Sequence, residues 1–292
     1  EGFAEKPEGK AIENWKPEKQ LLFKSELTDD DKDRTLVKPN GDLTYFMSDI
    51  IYHSKKINRS YDILLNIWGV DHSGYVKRLK NAVSALFDEK INFNIQLTSL
   101  VNLLENKKPV KMSKRKGKFI TLREVIKDVG KDVIRFMMIS RKADKVIDFD
   151  FDIVKQQTKD NPIFYVKYAH ARCCSIETLC GSKKFSDSEI TKHFGLLNLS
   201  EEIDLIIMLS NYLNILNQSI NKLEPHRLTN YLLDLAKKFH SYYSKGSKDA
   251  KKRIMIDNNE DLMLARLGLV KVVKKVIFNG LLILNINAPQ KM

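Results

Sequence analysis

The pattern of apolar and polar positions in the first half of the chain alternates between strand-like and helix-like segments. Ile63–Val70 is a compact apolar run typical of a buried strand, and it ends at the polar residues 71–74. Apolar residues then recur at helical spacing, at Tyr75, Leu79, Val83 and Leu86. A further apolar, partly β-branched stretch follows at residues 93–104. The first half therefore predicts an α/β fold.

After about residue 155, every strongly patterned segment has the spacing of a helix. Asn161 followed by Pro162 predicts a helix start, because asparagine caps free N–H groups and proline suits the first turn. The apolar stripe of this helix consists of Val166, Ala169, Cys173, Ile176 and Cys180. A second helix is predicted to begin at Ser200, with one apolar side made of Ile206, Leu209, Leu213, Leu216, Ile220 and Leu223.

Two more helices complete the predicted second half. Pro225 opens the third, and Asp261–Phe278 forms the fourth, which the pair Asn279-Gly280 is predicted to stop. Four amphipathic helices joined by short or polar connections predict a helical bundle. We place the domain boundary near residue 158, so that the predicted domains are 1–158 and 159–292.

Composition narrows the class of protein. A formal net charge of +13 indicates a polyanionic partner such as nucleic acid, although solvated lysine-rich surfaces would give the same charge. No apolar run approaches the roughly 20 residues of a membrane span, so no membrane association is expected. The three cysteines form neither a disulfide framework nor a zinc spacing, which favours a reducing cytoplasm.

Two short motifs place polar side chains where they could contact a ligand. Asp71 and His72 follow the predicted buried strand, and ligands of α/β sheets bind beyond the carboxyl ends of strands. Capping of the next helix by Asp71 or Ser73 is the alternative. Tyr45 and Asp49 share one face of a predicted helix, and a carboxylate beside a phenol suits a planar cation. From the spacing alone, an ordinary surface helix with one aromatic anchor is the better explanation.

A lysine-rich segment at residues 107–120 precedes a predicted helix start. Thr121 and Glu124 form a T-x-x-E capping box, and the N-terminus of a helix favours phosphate. The lysines that crowd the approach are Lys111, Lys114, Lys116 and Lys118. Flexible ammonium groups at such a position predict binding of a polyphosphate, whereas a solvated basic loop would explain the lysines but not their order around Met112-Ser113.

The order of residues in this segment introduces a family resemblance. The sequence KMSKR at 111–115 resembles the KMSKS signature of class I aminoacyl-tRNA synthetases. Further blocks are similar to arginyl-tRNA synthetase and occur in that family's order: TYFMSDIIYH at 44–53, WGVDHSGY at 68–75, NPIFYVKYAHARCCSI at 161–176 and the terminal NAPQKM. Together they span nearly the whole chain.

The resemblance implies a fold, a reaction and its ligands. It implies the C-terminal part of a class I synthetase, with a partial Rossmann-like catalytic domain at 1–158 and a DALR anticodon-binding bundle at 159–292. The implied reaction is ATP-dependent activation of L-arginine and its transfer to tRNA(Arg), with Mg²⁺ accompanying the ATP. No protein cage for a metal is evident in the sequence. A cytoplasmic monomer is expected.

The resemblance also assigns expected roles to individual residues. It matches Tyr45 and Asp49 to the residues that bind the guanidinium of arginine, and Asp71 and His72 to a pair beside the adenosine of ATP. The residues matched to the triphosphate site are Lys111, Ser113 and Lys114, of which Lys111 and Lys114 are the catalytic candidates. The residues expected to contact tRNA are Tyr168, Arg172, Lys271 and Lys274.

Two departures from the family pattern bear on activity. The signature H-x-G-H of the class is absent, since no two of the six histidines are three positions apart. Arg115 stands where the general class signature has serine, a minor difference. Because the family places H-x-G-H and a tRNA-binding domain upstream, we expect this chain to be a C-terminal portion that does not catalyse alone.

Two other functions fit the sequence less well than a synthetase does. A non-catalytic RNA-binding module would use Lys271, Lys274, Lys275 and the basic run KKR at 251–253, but it has no need of Tyr45 and Asp49 together with the KMSKR segment. A P-loop or dinucleotide enzyme is excluded, because the sequence contains neither G-x-x-x-x-G-K-[ST] nor G-x-G-x-x-G. The three cysteines are predicted to be core residues and His170 to be structural.

Overall fold

The fold was examined in a computed structural model. It describes residues 2–3, 19–24, 32–87, 91–110, 120–180, 187–256 and 258–292. The chain divides into two compact units, residues 1–100 and 101–292. The predicted domain boundary near residue 158 stays a prediction.

The first unit combines two small sheets with two helices. Its elements are β1 (Gly2–Phe3), β2 (Lys19–Phe23), β3 (Arg34–Val37), α1 (Tyr45–Ile57), β4 (Leu64–Gly69), α2 (Ser73–Leu86) and β5 (Phe93–Thr98). Strands β1, β2 and β3 form an antiparallel sheet, while β4 pairs with β5 in parallel from Leu64–Phe93 to Gly69–Thr98. A parallel pair needs a crossover, which α2 provides. The predicted order of strand, polar turn and helix is therefore confirmed.

The second unit begins with a small α/β part. Its elements are β6 (Val101–Glu105), β7 (Lys108–Pro109), α3 (Leu122–Val129), α4 (Lys131–Met138), β8 (Ile147–Asp150) and α5 (Phe151–Lys155). Strand β6 lies between β7, its antiparallel hairpin partner, and β8, which runs parallel to it. A separate apolar core supports this part, made of Val125, Ile134, Phe149, Phe151 and Val154. The single apolar stretch predicted at 93–104 is thus divided between β5 and β6.

A helical bundle makes up the rest of the second unit. Its helices are α6 (Pro162–Leu179), α7 (Asp187–Lys192), α8 (Ser200–Ser210), α9 (Tyr212–Asn221), α10 (His226–Lys248) and α11 (Glu260–Ile283). Asn161 caps α6, since its side-chain oxygen accepts a hydrogen bond from the N–H of Phe164 at 3.4 Å. The predicted stripe on α6 is buried from Val166 to Ile176. An α/β region followed by an all-α bundle confirms the predicted fold class.

Two predicted helix boundaries in the bundle are wrong. The second helix is not continuous, because it breaks at Asn211 into α8 and α9. The carbonyl of Met208, just before the break, accepts a hydrogen bond from the hydroxyl of Tyr231 at 3.0 Å. Leu213 and Ile220 of the predicted apolar side are exposed. None of the helices in the described part of the chain is long and apolar enough to cross a lipid bilayer.

The second wrong boundary concerns Asn279-Gly280, which does not stop the last helix. Helix α11 continues through both residues to Ile283. A Cβ atom on Gly280 would stand only 2.6 Å from a methyl group of Leu232 on α10. Glycine at this position therefore allows close packing of two helices, a use that is invisible in a local pattern.

Candidate active-site residues and nucleic-acid interface

Asp49 lies one turn into α1 and receives a hydrogen bond from a distant tyrosine. The helix begins at Tyr45, behind the cap residue Thr44. The hydroxyl of Tyr75, on α2, donates to Asp49 Oδ2 at 2.8 Å. Tyr45 is 93% exposed, and within the described residues no hydrogen bond joins it to Asp49. The carboxylate is therefore oriented by Tyr75, while the pairing of Tyr45 with Asp49 around a guanidinium stays a prediction.

Tyr75 is held firmly enough to orient that carboxylate. Its ring packs edge-on against Phe46 at 5.9 Å and lies tilted against Trp68 at 5.8 Å. Burial, together with the hydrogen bond to Asp49, raises the pKa of the Tyr75 phenol. The hydroxyl therefore stays protonated, and it remains a donor, throughout the neutral range. The sequence pattern assigned Tyr75 only to the apolar side of a helix.

A buried chain of polar groups supports the backbone of Asp49. His53 Nδ1 lies 2.7 Å from the carbonyl oxygen of Asp49, and because a carbonyl only accepts, Nδ1 carries the proton. His53 Nε2 then accepts from the Asn66 amide at 2.7 Å. The Asn66 oxygen in turn accepts from Lys56 Nζ at 2.6 Å. These bonds tie α1 to strand β4.

Asp71 and His72 occupy the turn that follows the carboxyl end of β4, as the sequence predicts. Both side chains are exposed, with 3.5 Å between His72 Nε2 and Asp71 Oδ2. No side chain caps α2 at its N-cap residue His72, so the capping alternative is not supported. A Cβ atom on Gly69 would stand 2.3 Å from Asp71 Oδ1, so glycine leaves room for this carboxylate. Their contact with ATP stays a prediction.

Lys111, Ser113 and Lys114 of the KMSKR segment lie outside the described residues. Both flanks are described. On one side the N–H of Val110 donates to Leu103 O at 2.9 Å and extends the β6–β7 hairpin. On the other side the predicted capping box is confirmed, since Glu124 N donates to Thr121 Oγ1 at 3.2 Å and Thr121 N to Glu124 Oε2 at 2.7 Å. Hydrogen bonds from Thr121 lower the pKa of Glu124.

Tyr168 and Arg172 of α6 interact with each other and with α10. Arg172 Nη2 donates to the Tyr168 hydroxyl at 2.6 Å, and Nη1 lies 2.8 Å from His240 Nδ1. The guanidinium also lies over the rings of Tyr168 and Tyr243, at 4.4 and 4.5 Å. Burial lowers the pKa of His240 to about 4, so at neutral pH its Nδ1 is unprotonated and accepts a hydrogen bond from Arg172. Tyr168, Arg172, His240 and Tyr243 are called the aromatic cluster below.

Lys271 and Lys274 line a different part of the bundle. They border a cavity of about 480 Å³ between α6, α11 and the terminal segment, together with Lys275 and Gln290. Lys274 forms an ion pair with Glu177. Among the described residues, neither Lys271 nor Lys275 has a charged or hydrogen-bonding partner. The four predicted RNA-contacting residues therefore belong to two sets, the aromatic cluster and this lysine groove.

The structure also tests the residues predicted to be structural. His170 is buried and its Nδ1 lies 2.8 Å from Pro289 O, which fastens the terminal segment to α6 and confirms a structural role. Cys173 is buried as predicted, and burial raises the pKa of its thiol, whereas Cys174 and Cys180 are only partly buried. In the described ranges, no group of three or more His, Cys, Asp or Glu side chains could hold a metal ion.

Sequence reasoning missed Tyr75, His53, Asn66 and His240 as partners of candidate residues. Tyr75 is 26 positions from Asp49, and His240 is 68 positions from Arg172. Helical spacing detects only neighbours three or four residues apart. A signal for such long-range partners exists only in the three-dimensional fold.

Comparison with known proteins agrees with this arrangement. Residues 166–292 match the family described as the DALR anticodon binding domain. The chain is 45% identical over 293 residues to an arginine–tRNA ligase from Wolbachia pipientis subsp. Culex pipiens, covering all of this chain and 51% of that protein. The chain therefore spans about half the length of the curated relatives it matches.

Solved structures give the same result. A crystal structure from Campylobacter jejuni, provisionally assigned as an arginyl-tRNA synthetase, matches with a TM-score of 0.80 and 30% identity over all of this chain and 59% of its own. Thermus thermophilus arginyl-tRNA synthetase has the same fold over 94% of this chain and 54% of its own, with a TM-score of 0.74 and 21% identity. These matches confirm that the chain resembles the arginyl-tRNA synthetases along its whole length and carries a DALR-type bundle at residues 166–292.

Proposed function

We propose that this chain is part of an arginine–tRNA ligase, in which the bundle binds tRNA(Arg) and the α/β parts contact arginine and ATP. One observation carries the proposal. A bundle that matches an anticodon-binding family lies in a chain that is 45% identical, over its whole length, to a protein named arginine–tRNA ligase. The geometry of the candidate residues supports a role for each part.

The proposed arginine contact is the Asp49 carboxylate, with Tyr45 beside it. A guanidinium presents parallel N–H donors that match the two oxygens of a carboxylate. Only Oδ2 of Asp49 is hydrogen-bonded in the described structure, and each carboxylate oxygen accepts more than one bond. Because Tyr75 fixes this carboxylate in one orientation, less conformational entropy is lost when a guanidinium binds.

The proposed ATP contacts are Asp71 and His72 for the adenosine and Lys111, Ser113 and Lys114 for the triphosphate. In the activation step, a carboxylate oxygen of arginine attacks the α-phosphorus of ATP. The bond from that phosphorus to the bridging oxygen breaks, pyrophosphate leaves and arginyl-adenylate forms. Negative charge increases on the phosphoryl oxygens and the leaving group. Ammonium groups directed at that charge stabilise the transition state more than the ground state.

In the transfer step, a hydroxyl of the terminal ribose of tRNA attacks the carbonyl carbon of the adenylate. The ester forms, the hydroxyl proton is lost and AMP leaves. Magnesium bound with ATP is held largely by phosphate oxygens and water and would neutralise phosphate charge. The described residues offer no cluster of three or more ligands for it, so no protein ligand is named.

The bundle offers two kinds of RNA contact. In the lysine groove, Lys271 and Lys275 are suited to backbone phosphates because their ammonium groups have no partner in the described structure. In the aromatic cluster, Tyr243 is 38% exposed and offers a ring on which an unpaired base could stack, whereas the ring of Tyr168 already stacks on Phe164 and His240. Arg172 already donates to Tyr168 and His240, so its contact with RNA would add to an existing network.

Binding of tRNA is the experiment that tests the proposal. The 292-residue chain is titrated with fluorescently labelled tRNA(Arg), and in parallel with the same tRNA carrying a replaced anticodon. We expect tighter binding of the natural anticodon, and an affinity that falls linearly with salt on logarithmic axes. Equal affinity for the two RNAs at every salt concentration would argue against an anticodon-binding bundle.

Catalysis by these 292 residues alone is not expected, because the sequence contains no H-x-G-H pair. The measurement is pyrophosphate exchange in the presence of arginine, ATP and tRNA(Arg). We expect no exchange above the background seen without protein. Robust exchange would contradict this expectation. It would show that other residues of this chain supply the ATP contacts that H-x-G-H makes in the family.

A further inference from the structure

A fully buried ion pair joins two helices of the bundle outside both sets of candidate RNA contacts. Glu202 lies in the first turn of α8 and Arg266 lies in α11, with 0% and 2% of their side chains exposed. Arg266 Nε donates to Glu202 Oε1 at 2.6 Å. The hydroxyl of Tyr242 donates to the same oxygen at 3.0 Å. The other oxygen, Oε2, accepts two backbone N–H groups at the start of α8.

Arg266 also holds the connection between α10 and α11 from inside the bundle. Its Nη1 donates to the carbonyl oxygen of Lys251 at 2.8 Å and to that of Arg253 at 2.7 Å. Lys251 and Arg253 are exposed residues, and Arg253 Nε donates to the carbonyl oxygen of Gly246 at 3.3 Å, which leaves its other guanidinium nitrogens for a ligand. The buried guanidinium therefore binds the backbone of a segment whose cationic side chains reach solvent.

Further contacts restrict the same connection. Glu201 accepts hydrogen bonds from Lys245 at 2.6 Å and Lys252 at 3.0 Å, and the bond from Lys245 is the main reason that the pKa of Glu201 falls to about 2. Lys252 therefore shares the single negative charge of Glu201 with Lys245. A Cβ atom on Gly246 would stand 3.0 Å from the carbonyl oxygen of Lys252, so the connection packs closely on the end of α10.

The buried ion pair of Glu202 and Arg266 is not well explained by a contribution to stability alone. Desolvating a buried ion pair often cancels its attraction, and apolar residues in its place are frequently neutral or stabilising. What the pair supplies here is a fixed backbone for residues 249–253. We propose that Arg266, held by Glu202, is a positioning residue that presents Lys251 and Arg253 to the phosphate backbone of RNA. The inference rests on the proposed function, because it identifies a further part of the same RNA-binding surface.

Four forms of the full 292-residue chain test the inference. Arg266→Lys keeps the buried charge but lacks the fork that reaches both carbonyls. Lys251→Ala/Arg253→Ala removes the presented cations. Lys237→Ala/Lys238→Ala is the matched control, because it removes two exposed charges that already pair with Asp234 and Asp204 on the surface. The unaltered chain is the reference, and each form is titrated with labelled tRNA(Arg) at several salt concentrations.

The salt dependence separates positioning from loss of folding. Partial unfolding lowers the apparent affinity by a factor that leaves the salt slope unchanged, whereas lost phosphate contacts reduce the slope. We expect Lys251→Ala/Arg253→Ala to reduce the slope by about 1.4, from two contacts at about 0.7 each for single-stranded RNA. Arg266→Lys is expected to show roughly half that reduction or more, with affinity about 5- to 20-fold weaker at 0.1 M salt. The control pair of substitutions is expected to leave the slope unchanged, because neither of these lysines is proposed to contact RNA.

A further variant at Arg266 keeps the inference testable if Arg266→Lys does not fold. Glu202→Leu/Arg266→Met replaces the pair by apolar side chains, which keeps the bundle packed while freeing residues 249–253. Amide hydrogen exchange in that segment is expected to accelerate in this variant, and the salt slope is expected to fall as in Lys251→Ala/Arg253→Ala.

The outcomes are distinguishable from one another. An unchanged slope in both Arg266→Lys and Glu202→Leu/Arg266→Met, with tRNA still bound, overturns the positioning role and leaves the proposed function intact. An unchanged slope in Lys251→Ala/Arg253→Ala shows that the connection does not meet RNA and overturns the inference as well. No binding of tRNA by the unaltered chain overturns the proposed function, and the inference fails with it.

Discussion

Two helices of this protein carry the same spacing, a tyrosine followed four residues later by a charged residue, with different results. On α1, Tyr45 is almost fully exposed and Asp49 bonds instead to Tyr75 of another helix. On α6, Tyr168 and Arg172 bond directly to each other. A shared face is therefore necessary but not sufficient for a pair to interact.

The difference lies in what surrounds each charge. The guanidinium of Arg172 is enclosed by two tyrosine rings and donates to His240, so its bonding capacity is largely used within the bundle. Among the described residues, the carboxylate of Asp49 has Tyr75 as its one hydrogen-bond partner and keeps accepting capacity for a ligand. We therefore expect Asp49 to matter mainly for binding and Arg172 mainly for stability.

The largest effect is expected for Asp49→Asn. The substitution keeps the shape of the side chain but removes the charge, so the hydrogen bonds to a guanidinium lose their charge assistance. We expect the affinity of the chain for L-arginine to fall by about 100-fold or more, equivalent to about 3 kcal/mol. Isothermal titration calorimetry measures the affinity. The free energy of unfolding, measured in urea, is expected to change by less than about 0.5 kcal/mol. Arginine binding that survives the substitution would place the guanidinium site elsewhere.

Arg172→Met gives the opposite profile. The variant loses hydrogen bonds to Tyr168 and His240 and the stacking on Tyr243, while it keeps most of the apolar stem. We expect the free energy of unfolding to fall by about 2 kcal/mol. Urea unfolding followed by circular dichroism measures this change. Lys237→Ala on the exposed face of α10 is the control, expected within about 0.5 kcal/mol of the unaltered chain. A variant as stable as that control would show that the aromatic cluster does not depend on Arg172.

Tyr75→Phe tests whether the phenol orients Asp49. It removes one hydrogen bond and leaves the ring contacts with Phe46 and Trp68 in place. We expect arginine affinity to fall about fivefold, equivalent to about 1 kcal/mol. In the Asp49→Asn background the same change should have little further effect, because the two residues act together. Tyr61→Phe, which alters an exposed tyrosine, is the matched control. If the losses of arginine affinity add up in the double variant, Tyr75 does not act through Asp49.

The last prediction concerns the pH dependence of stability. Burial lowers the pKa of His240 to about 4, below the ordinary value of 6.5, so between these values the unfolded chain binds the additional proton. Stability therefore rises with pH across that window and is lost as pH falls from 6.5 towards 4. The loss between pH 7 and pH 4.5 is expected to be about 2 kcal/mol, because each unit of pKa difference corresponds to about 1.4 kcal/mol, and His240→Gln is expected to remove it. Urea midpoints at pH 7 and pH 4.5 give the comparison. An equal loss in His240→Gln would assign the pH dependence to other groups.

The sequence predicted those features whose causes are local. The capping box of Thr121 and Glu124, the cap at Asn161 and the turn from β4 into α2 all depend on residues within a few positions of one another. The candidate ligand residues could be named only because short blocks resemble a family. Spacing alone favoured an ordinary surface helix at Asp49 and a helix cap at Asp71 or Ser73.

The features that the sequence could not predict depend on distant contacts. Glu202 and Arg266 are 64 positions apart, and neither residue type suggests a core position. The break at Asn211 follows a bond from Tyr231, and Gly280 lies within α11 because Leu232 packs against it. In each case tertiary packing overrides a correct local preference, so only the folded structure identifies the partner.

Binding of a guanidinium at Asp49 is the point at which a ligase and a mere RNA-binding module differ most. The direct measurement is titration of the isotopically labelled 292-residue chain with L-arginine and, separately, with L-citrulline, which has the same shape but a neutral urea group. Arginine is expected to shift the amide signals around Asp49 and Tyr75 in a saturable way, and citrulline at equal concentration is expected to leave them unmoved. The account would be contradicted if both compounds shifted these signals equally, or if neither compound shifted them.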